Sequence, residues 1–331
     1  MLKVLSLYDS DSATDGIIFQ GIKNILSAID KHTWKKPITD PEQFDHQSID
    51  TSDLINDQFR PNEKFDIVLV PGTPWLWDHF HLSHKYRNLR RMLSVHSSAK
   101  IIFFGIGSAL NINAGNDILS RPDEKKHIYE MTKNALVIVR DNIAHQKVIE
   151  SGVKECYHLP CPAYFCYGGE FQEPTIFKDN VLIWYNPLTG ISRGFWNSNK
   201  VLFNKYMNTI KWFYNEYNPK VYTVLNCPTS LEKDIKLTKS IGIPNIEVVK
   251  NNIHTKEIMK NANVVLSGRV HCAVPAYVQG KATSLMRIDS RANVLTNFGG
   301  TENGTFCTPG KKDFSQSFQK YLELIKRHIG A

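Results

Sequence analysis

The sequence predicts an α/β protein built from two parallel-sheet domains, and three observations carry that prediction. The chain has 331 residues, more than one hydrophobic core usually serves, so two domains of about 150 residues each are expected. Ten short apolar runs bounded by Gly, Pro or Asn fall into two series, and such runs are how strands buried on both faces read. Amphipathic helical patterns separate the runs, which is the alternation that makes parallel sheets. A polar, turn-rich junction from Gly168 to Pro174 then divides the chain into residues 1–168 and 175–331.

The first series runs from Lys3 to Leu7, Asp66 to Val70, Lys100 to Phe104, Ala135 to Val139 and Glu155 to Leu159. The second runs from Asn180 to Tyr185, Val221 to Leu225, Ile246 to Val249, Asn263 to Leu266 and Ala282 to Met286. Ile18, Ile22, Ile25 and Ile29 recur at helical spacing after the first run, with Thr14 and Asp15 as candidate caps. Leu202, Tyr206, Ile210 and Phe213 mark a second helix. Phe314, Phe318, Tyr321, Leu322 and Ile325 mark a closing helix, expected to pack back on the first domain. These stripes read as core.

Forty Lys and Arg against 32 Asp and Glu give a formal charge of +8, which suits an anionic ligand or an acidic lipid surface. The basic residues are scattered and carry no nucleic-acid motif, so nucleic acid is not expected as a partner. The opening lacks the pattern of a signal peptide, and no apolar run approaches the roughly 18 residues that span a bilayer. The expected location is the cytoplasm, with peripheral contact at the inner face of the membrane. The six cysteines form no CxxC pair, so reduced thiols and no structural metal are expected.

Ligands of open parallel sheets sit where strands lead into helix N-termini. The richest such loop is Ser267-Gly268-Arg269-Val270-His271-Cys272-Ala273. It ends a strand, starts a helix near Arg269, and combines unpaired amides with a guanidinium and an imidazole. That is an anion site with a group able to hold a proton. Spacing alone leaves open that Arg269 pairs with a neighbouring carboxylate and His271 with a local carbonyl. Trp75 and Trp77 crowd another loop with His79, His81 and His84, where aromatic faces could stack on a sugar or simply pack. Asp141 could face a ligand or cap the helix after it.

Residues 267–273 resemble the S-x-R-x-H signature of the polysaccharide pyruvyltransferases. Val139-Arg140-Asp141 with Val148, Gly152 and Val153 is similar to that family's R-D segment, and Phe104-Gly105-Ile106-Gly107 to its glycine loop. Ala13-Thr14-Asp15-Gly16 and Asp289-Ser290-Arg291 also look like family segments. The resemblance implies a glycosyltransferase-B-like fold of two Rossmann-like domains, with the acceptor on the first and the donor on the second. It implies transfer of a pyruvyl group from phosphoenolpyruvate to hydroxyls of a sugar in a polysaccharide or lipid-linked oligosaccharide, with no cofactor. Arg269, Gly268, Ser267, Arg140 and Arg291 would bind the donor, His271 would act as acid and Asp15 as base, and Trp75, Trp77 and Asp141 would face the acceptor. The sequence departs from the family pattern at Cys161, where an Asp is common, at Ala144, and in the sparser loop from Val70 to Trp75. A nucleotide-sugar glycosyltransferase and a non-catalytic glycan binder are the alternatives.

Overall fold

The computed structural model describes residues 1–7, 13–30, 32–35, 60, 62–72, 74–77, 80–110, 122–168, 181–184, 200–224, 228–287, 289–303, 306–308 and 314–330. Apart from Gly168, the junction read from the sequence lies outside them.

The first sheet holds β1 (Leu2–Ser6), β2 (His32–Lys35), β3 (Ile67–Pro71), β4 (Pro74–Leu76), β5 (Lys100–Ser108), β6 (Leu136–Val139) and β7 (Cys156–His158). Its order is β2-β1-β3-β5-β6-β7, all parallel, with β4 beside the end of β5. Among the described residues four α-helices accompany it: α1 (Asp15–Ser27), α2 (His84–Val95), α3 (Pro122–Thr132) and α4 (Asn142–Glu150).

The second sheet holds β8 (Val181–Trp184), β9 (Lys220–Val224), β10 (Glu247–Val249), β11 (Val264–Ser267), β12 (Ala282–Met286), β13 (Thr301–Asn303) and β14 (Phe306–Thr308). Its order is β10-β9-β8-β11-β12-β14-β13, parallel from β10 to β12 and antiparallel in the last two pairings. Its helices are α5 (Lys200–Tyr217), α6 (Pro228–Ser240), α7 (Asn252–Asn261), α8 (Val270–Val278) and α9 (Asn293–Thr296), whereas the last helix, α10 (Ser315–Ile329), packs back against α1 and β6 of the first lobe.

Each of the ten apolar runs forms a strand, nine of them within one residue of the expected ends, while β5 runs on four residues past Phe104 to Ser108. Thr14 stands at the N-cap of α1, but its side chain makes no capping bond, and Asp15 occupies the first turn instead. In both sheets the strand order reverses once, between β1 and β3 and between β8 and β11. A reversal separates two neighbouring strands' exit loops and leaves a crevice at their carboxyl ends. The helices that start there, α1 and α8, bring Asp15 and the 267–273 segment to the same place.

One hydrophobic cluster joins the two sheets. It runs from Val4, Ile67 and Phe104 under the first sheet, through Ile18, Ile22 and Ile25 of α1, into Ala273, Val274 and Tyr277 of α8 and Val294 and Leu295 of α9. Helix α10 completes it from the far end of the chain. Tyr321 stacks on Phe104 at 5.1 Å between ring centroids and donates its hydroxyl hydrogen to the Pro160 carbonyl at 2.8 Å. Burying a side chain of this size stabilises by about 1.5–3 kcal/mol, so the shared cluster holds the lobes together.

Helix α1 presses against the turn Pro162–Phe165 so closely that a Cβ at Gly21 would lie 1.8 Å from the Pro162 carbonyl oxygen. Backbone cannot yield as a flexible side chain would. Gly21→Ala is therefore expected to destabilise the protein by about 1–3 kcal/mol or more, read as a lower midpoint in urea unfolding; an unchanged midpoint would contradict this packing.

Candidate active site

The crevice contains a cavity of about 120 Å³ lined by residues of both lobes, among them Asp15, Arg140, Arg269, His271, Asp289 and Arg291. A larger, open depression of about 580 Å³ on the outer face of α5 is lined by residues of that one helix. It gathers no set of converging charges, and the crevice is therefore the candidate site.

The floor of the cavity is the start of α8. Arg269 is its N-cap residue in extended conformation and makes no side-chain cap. Ser267 shapes the turn: its hydroxyl accepts from the Arg269 amide at 2.9 Å and donates to the Arg269 carbonyl at 2.7 Å. The amides of Val270 and His271 belong to the first turn, where a helix offers N–H groups without intrahelical partners. Both residues and Gly268 line the cavity. A positive helix end with exposed amides attracts anions.

Two guanidiniums stand over that end. Burial disfavours the charge on Arg269 and the nearby Arg291 disfavours it further, so its pKa lies below the ordinary value despite opposing help from Asp15 and other groups. Burial also works against Arg291, but Asp289 outweighs it by charge and hydrogen bonding, with Asp15 adding, and its pKa lies above the ordinary value. Asp289 accepts from Arg291 Nε at 2.8 Å and also from its Nη2, so Arg291 has its own carboxylate. The cavity thus concentrates positive charge in a place partly withdrawn from water, a condition that an incoming anion relieves.

His271 sits between the lobes. Its Nδ1 lies 3.4 Å from Asp15 Oδ1, and its Nε2 lies 3.1 Å from Arg140 Nη1. An arginine only donates, so Nε2 must be the acceptor and the imidazole carries its proton on Nδ1, facing Asp15. Arg140 is 1% exposed. The same Nη1 donates to the Gly72 carbonyl at 2.6 Å and approaches Cys161 Sγ at 3.9 Å. A Cβ at Gly107 would come within 2.4 Å of Arg140 Nε, so the second glycine of the Gly105–Gly107 loop makes room for this side chain.

The expected site residues therefore divide. Asp15, His271, Arg269, Gly268, Arg291 and Arg140 converge on the cavity, and Ser267 supports the turn beneath it. Arg140 turns its bonded nitrogen inward to hold His271. Trp75 is 0% exposed, packs in the core of the first lobe and donates to the Pro71 carbonyl at 3.2 Å, so it offers no face to a ligand. Trp77 packs partly buried against the same core. Asp141 is buried and accepts from the Ser108 amide, the Ser108 hydroxyl and the Ala144 amide, each at 2.8 Å. Its carboxylate caps α4 and ties it to β5. His79 lies outside the described residues, and among those residues no group of three or more His, Cys, Asp or Glu is arranged to hold a metal ion. Sequence reasoning missed Cys161 as a neighbour of Arg140; its place one residue before Pro162 gave no chemical signal beyond the departure from the family pattern.

Two Rossmann-like lobes with a helix start in the crevice between them define a glycosyltransferase-B-like fold. Solved structures agree. UDP-GlcNAc 2-epimerase from Neisseria meningitidis superposes with a TM-score of 0.53 at 14% identity, over 98% of this chain and 94% of that one. The Methanocaldococcus jannaschii UDP-GlcNAc 2-epimerase gives 0.51 at 10% identity over 100% and 93%. S. aureus MnaA gives 0.52 at 13% over 99% and 90%. At such identities the likeness is one of fold. No curated protein matches the sequence. The family signature is nevertheless complete enough to place it: residues 7–290 match the polysaccharide pyruvyl transferase profile, and the chain belongs to that family. It is by that membership a transferase. Among the described residues no helix is long and apolar enough to cross a membrane.

If Asp141 is structural, Asp141→Ala removes a cap and strands two buried donors, costing about 2–4 kcal/mol. Calorimetry should show a clearly lowered melting temperature; a variant as stable as the parent would return Asp141 to the list of ligand contacts.

Proposed function

We propose that this protein transfers the pyruvyl group of phosphoenolpyruvate to a sugar hydroxyl of a polysaccharide or its lipid-linked precursor, closing a pyruvate ketal. The observation that carries this reading is the cavity itself, where Arg269 and Arg291 face a helix start beside an Asp15–His271 pair. A small molecule with a phosphate and a carboxylate fits that charge pattern. A guanidinium clamps either group in two parallel bonds, and the amides of the first turn of α8 take the other.

The chemistry follows from the arrangement. A proton added to the methylene carbon of phosphoenolpyruvate leaves cationic character at C2, and a sugar hydroxyl attacks there as its own proton passes to a base. Phosphate departs, and a second hydroxyl attacks C2 and closes the ketal. The sum is phosphoenolpyruvate plus a diol giving ketal plus inorganic phosphate. In this scheme His271, protonated on Nδ1, gives the methylene carbon its proton and Asp15, 3.4 Å from Nδ1, takes the proton of the attacking hydroxyl. No cofactor enters this scheme, since the arginines and helix start supply the charge that the departing phosphate needs. The acceptor approaches from the first lobe, and contact with the inner face of a membrane would bring a lipid-linked acceptor to it.

Incubation with phosphoenolpyruvate and a panel of soluble and lipid-linked oligosaccharides should release inorganic phosphate and add a pyruvyl mass to one of them. Nucleotide release from a nucleotide sugar would indicate glycosyl transfer instead, and binding without either product a glycan-binding protein. Arg269→Ala is expected to raise the KM for phosphoenolpyruvate about 10-fold or more, the worth of one charge-assisted bond. His271→Ala is expected to lower kcat about 100- to 10,000-fold with a smaller change in KM. Full activity in both variants would remove the assignment.

A further inference from the structure

The first lobe carries a long stretch of one charge sign. From His79 to Asn116 the chain holds five Lys and Arg and no Asp or Glu, and four of the five fall in α2. Arg87, Arg90 and Arg91 are exposed. Their spacing of three and four puts them on one face, turned away from Tyr86, Leu89 and Met92, which pack in the core. A solvated helix face ordinarily mixes signs, because like charges four residues apart repel. Here the nearby carboxylates have partners of their own: Asp123 faces His81 at 3.4 Å, Glu130 holds Lys133 at 2.7 Å, and the buried Glu124 meets Lys147 at 3.5 Å. Lys126 of α3 adds to the field beside Arg90, both acting on His127. Apolar side chains flank the row. Leu82, in the turn that leads into α2, is 69% exposed, and Val95, one turn beyond Arg91, is 37% exposed.

We propose that the arginine face of α2, with Leu82 beside it, docks this protein on an anionic lipid surface. A row of guanidiniums meets the negative potential of such a surface and is relieved of its own repulsion there. An exposed leucine at the edge of the row enters the headgroup region, which a soluble polyanion does not offer. The place of the face suits a lipid-linked acceptor. Pro74 lines the crevice, and the chain from there to Leu82 reaches at most about 30 Å, so a docked α2 keeps the crevice near the membrane.

The benefit to turnover rests on the pyruvyl-transfer reading, whereas the docking does not, and the experiment separates them. Sedimentation of the full chain with vesicles of equal parts phosphatidylcholine and phosphatidylglycerol should show binding that pure phosphatidylcholine does not give and that salt weakens by screening. Each basic side chain near such a surface is worth about fivefold in affinity. Arg87→Gln, Arg90→Gln and Arg91→Gln together should therefore weaken binding about 100-fold, and Leu82→Ser about 10-fold. Lys200→Gln, Lys205→Gln and Lys211→Gln remove the same charge from the exposed side of α5 and should cost less than about fivefold. Leu82→Ser carries the test by itself should the triple α2 variant melt early. On a soluble oligosaccharide the α2 variant should keep parental activity, and on the same acceptor anchored in the vesicles it should lose about 100-fold in kcat/KM. Equal binding to pure phosphatidylcholine, or an α5 variant weakened as much as the α2 variant, would overturn the proposal. So would binding to dextran sulfate without binding to vesicles, or a dimer that the α2 changes dissolve in a protein that binds no vesicles, since either gives the face to another occupant. Vesicle binding by a protein that turns over no phosphoenolpyruvate would leave the docking in place and sink the reaction instead.

Discussion

A guanidinium shut away from water on the seam between two lobes is the constraint around which this site is arranged. Arg140 leaves the end of β6 and is met by the carbonyl of Gly72 after β3, by Cys161 before the Pro162–Phe165 turn, and by His271 on α8. Each partner belongs to a different segment, and the last to the other lobe. Desolvating such an ion costs several kcal/mol unless its surroundings supply acceptors and charge. The loops therefore have to converge on it, and Gly107 has to lack a side chain for it to fit at all.

What the arginine fixes, the anion site then uses. Because Nη1 occupies Nε2, the imidazole presents its proton to Asp15 across the crevice. On the other side of His271 the first turn of α8, Arg269 and Arg291 gather positive charge. Asp15 is the link between the two halves, since it touches the imidazole and also feels both arginines.

Much of this architecture was legible in the sequence, and the limits have physical causes. The runs that became β1, β3, β5, β6, β9 and β11 are largely buried on both faces, so their apolar character is continuous. The strands that went unread, β2, β4, β13 and β14, are three or four residues long and lie at or next to a sheet edge or beside the end of β5, where alternation is too short to register. The loop of Arg269 and His271 was legible because its chemistry is local: strand, turn and helix start follow one another. Contacts across the crevice were not, because Arg140 and His271 lie 131 residues apart and meet only through the packing of α1, α8 and α10 into one cluster. The same blindness explains Trp75 and Asp141, whose residue types suit a sugar site but whose surroundings in the fold satisfy them internally.

The two lobes are also stitched at the rim of the crevice. Ser290 shares a 2.8 Å hydrogen bond with the Ser108 hydroxyl, accepts from the Leu110 amide at 2.8 Å and returns a backbone bond to the Leu110 carbonyl. Ser108 in turn rests on Asp141. Asn297 accepts from the Asn142 amide at 2.9 Å, while on the opposite side Thr255 donates to the Ala13 carbonyl at 2.6 Å and Asn252 to the Gly16 carbonyl. These bonds flank Asp15 on one side and the start of α4 on the other, and separating the lobes would break all of them together with the shared apolar cluster. The distance between Asp15 and His271 is thus set by folding before any ligand arrives. Groups held in place in advance need no reorganisation as charge develops on a bound molecule, and such preorganisation is a main source of stabilisation in active sites.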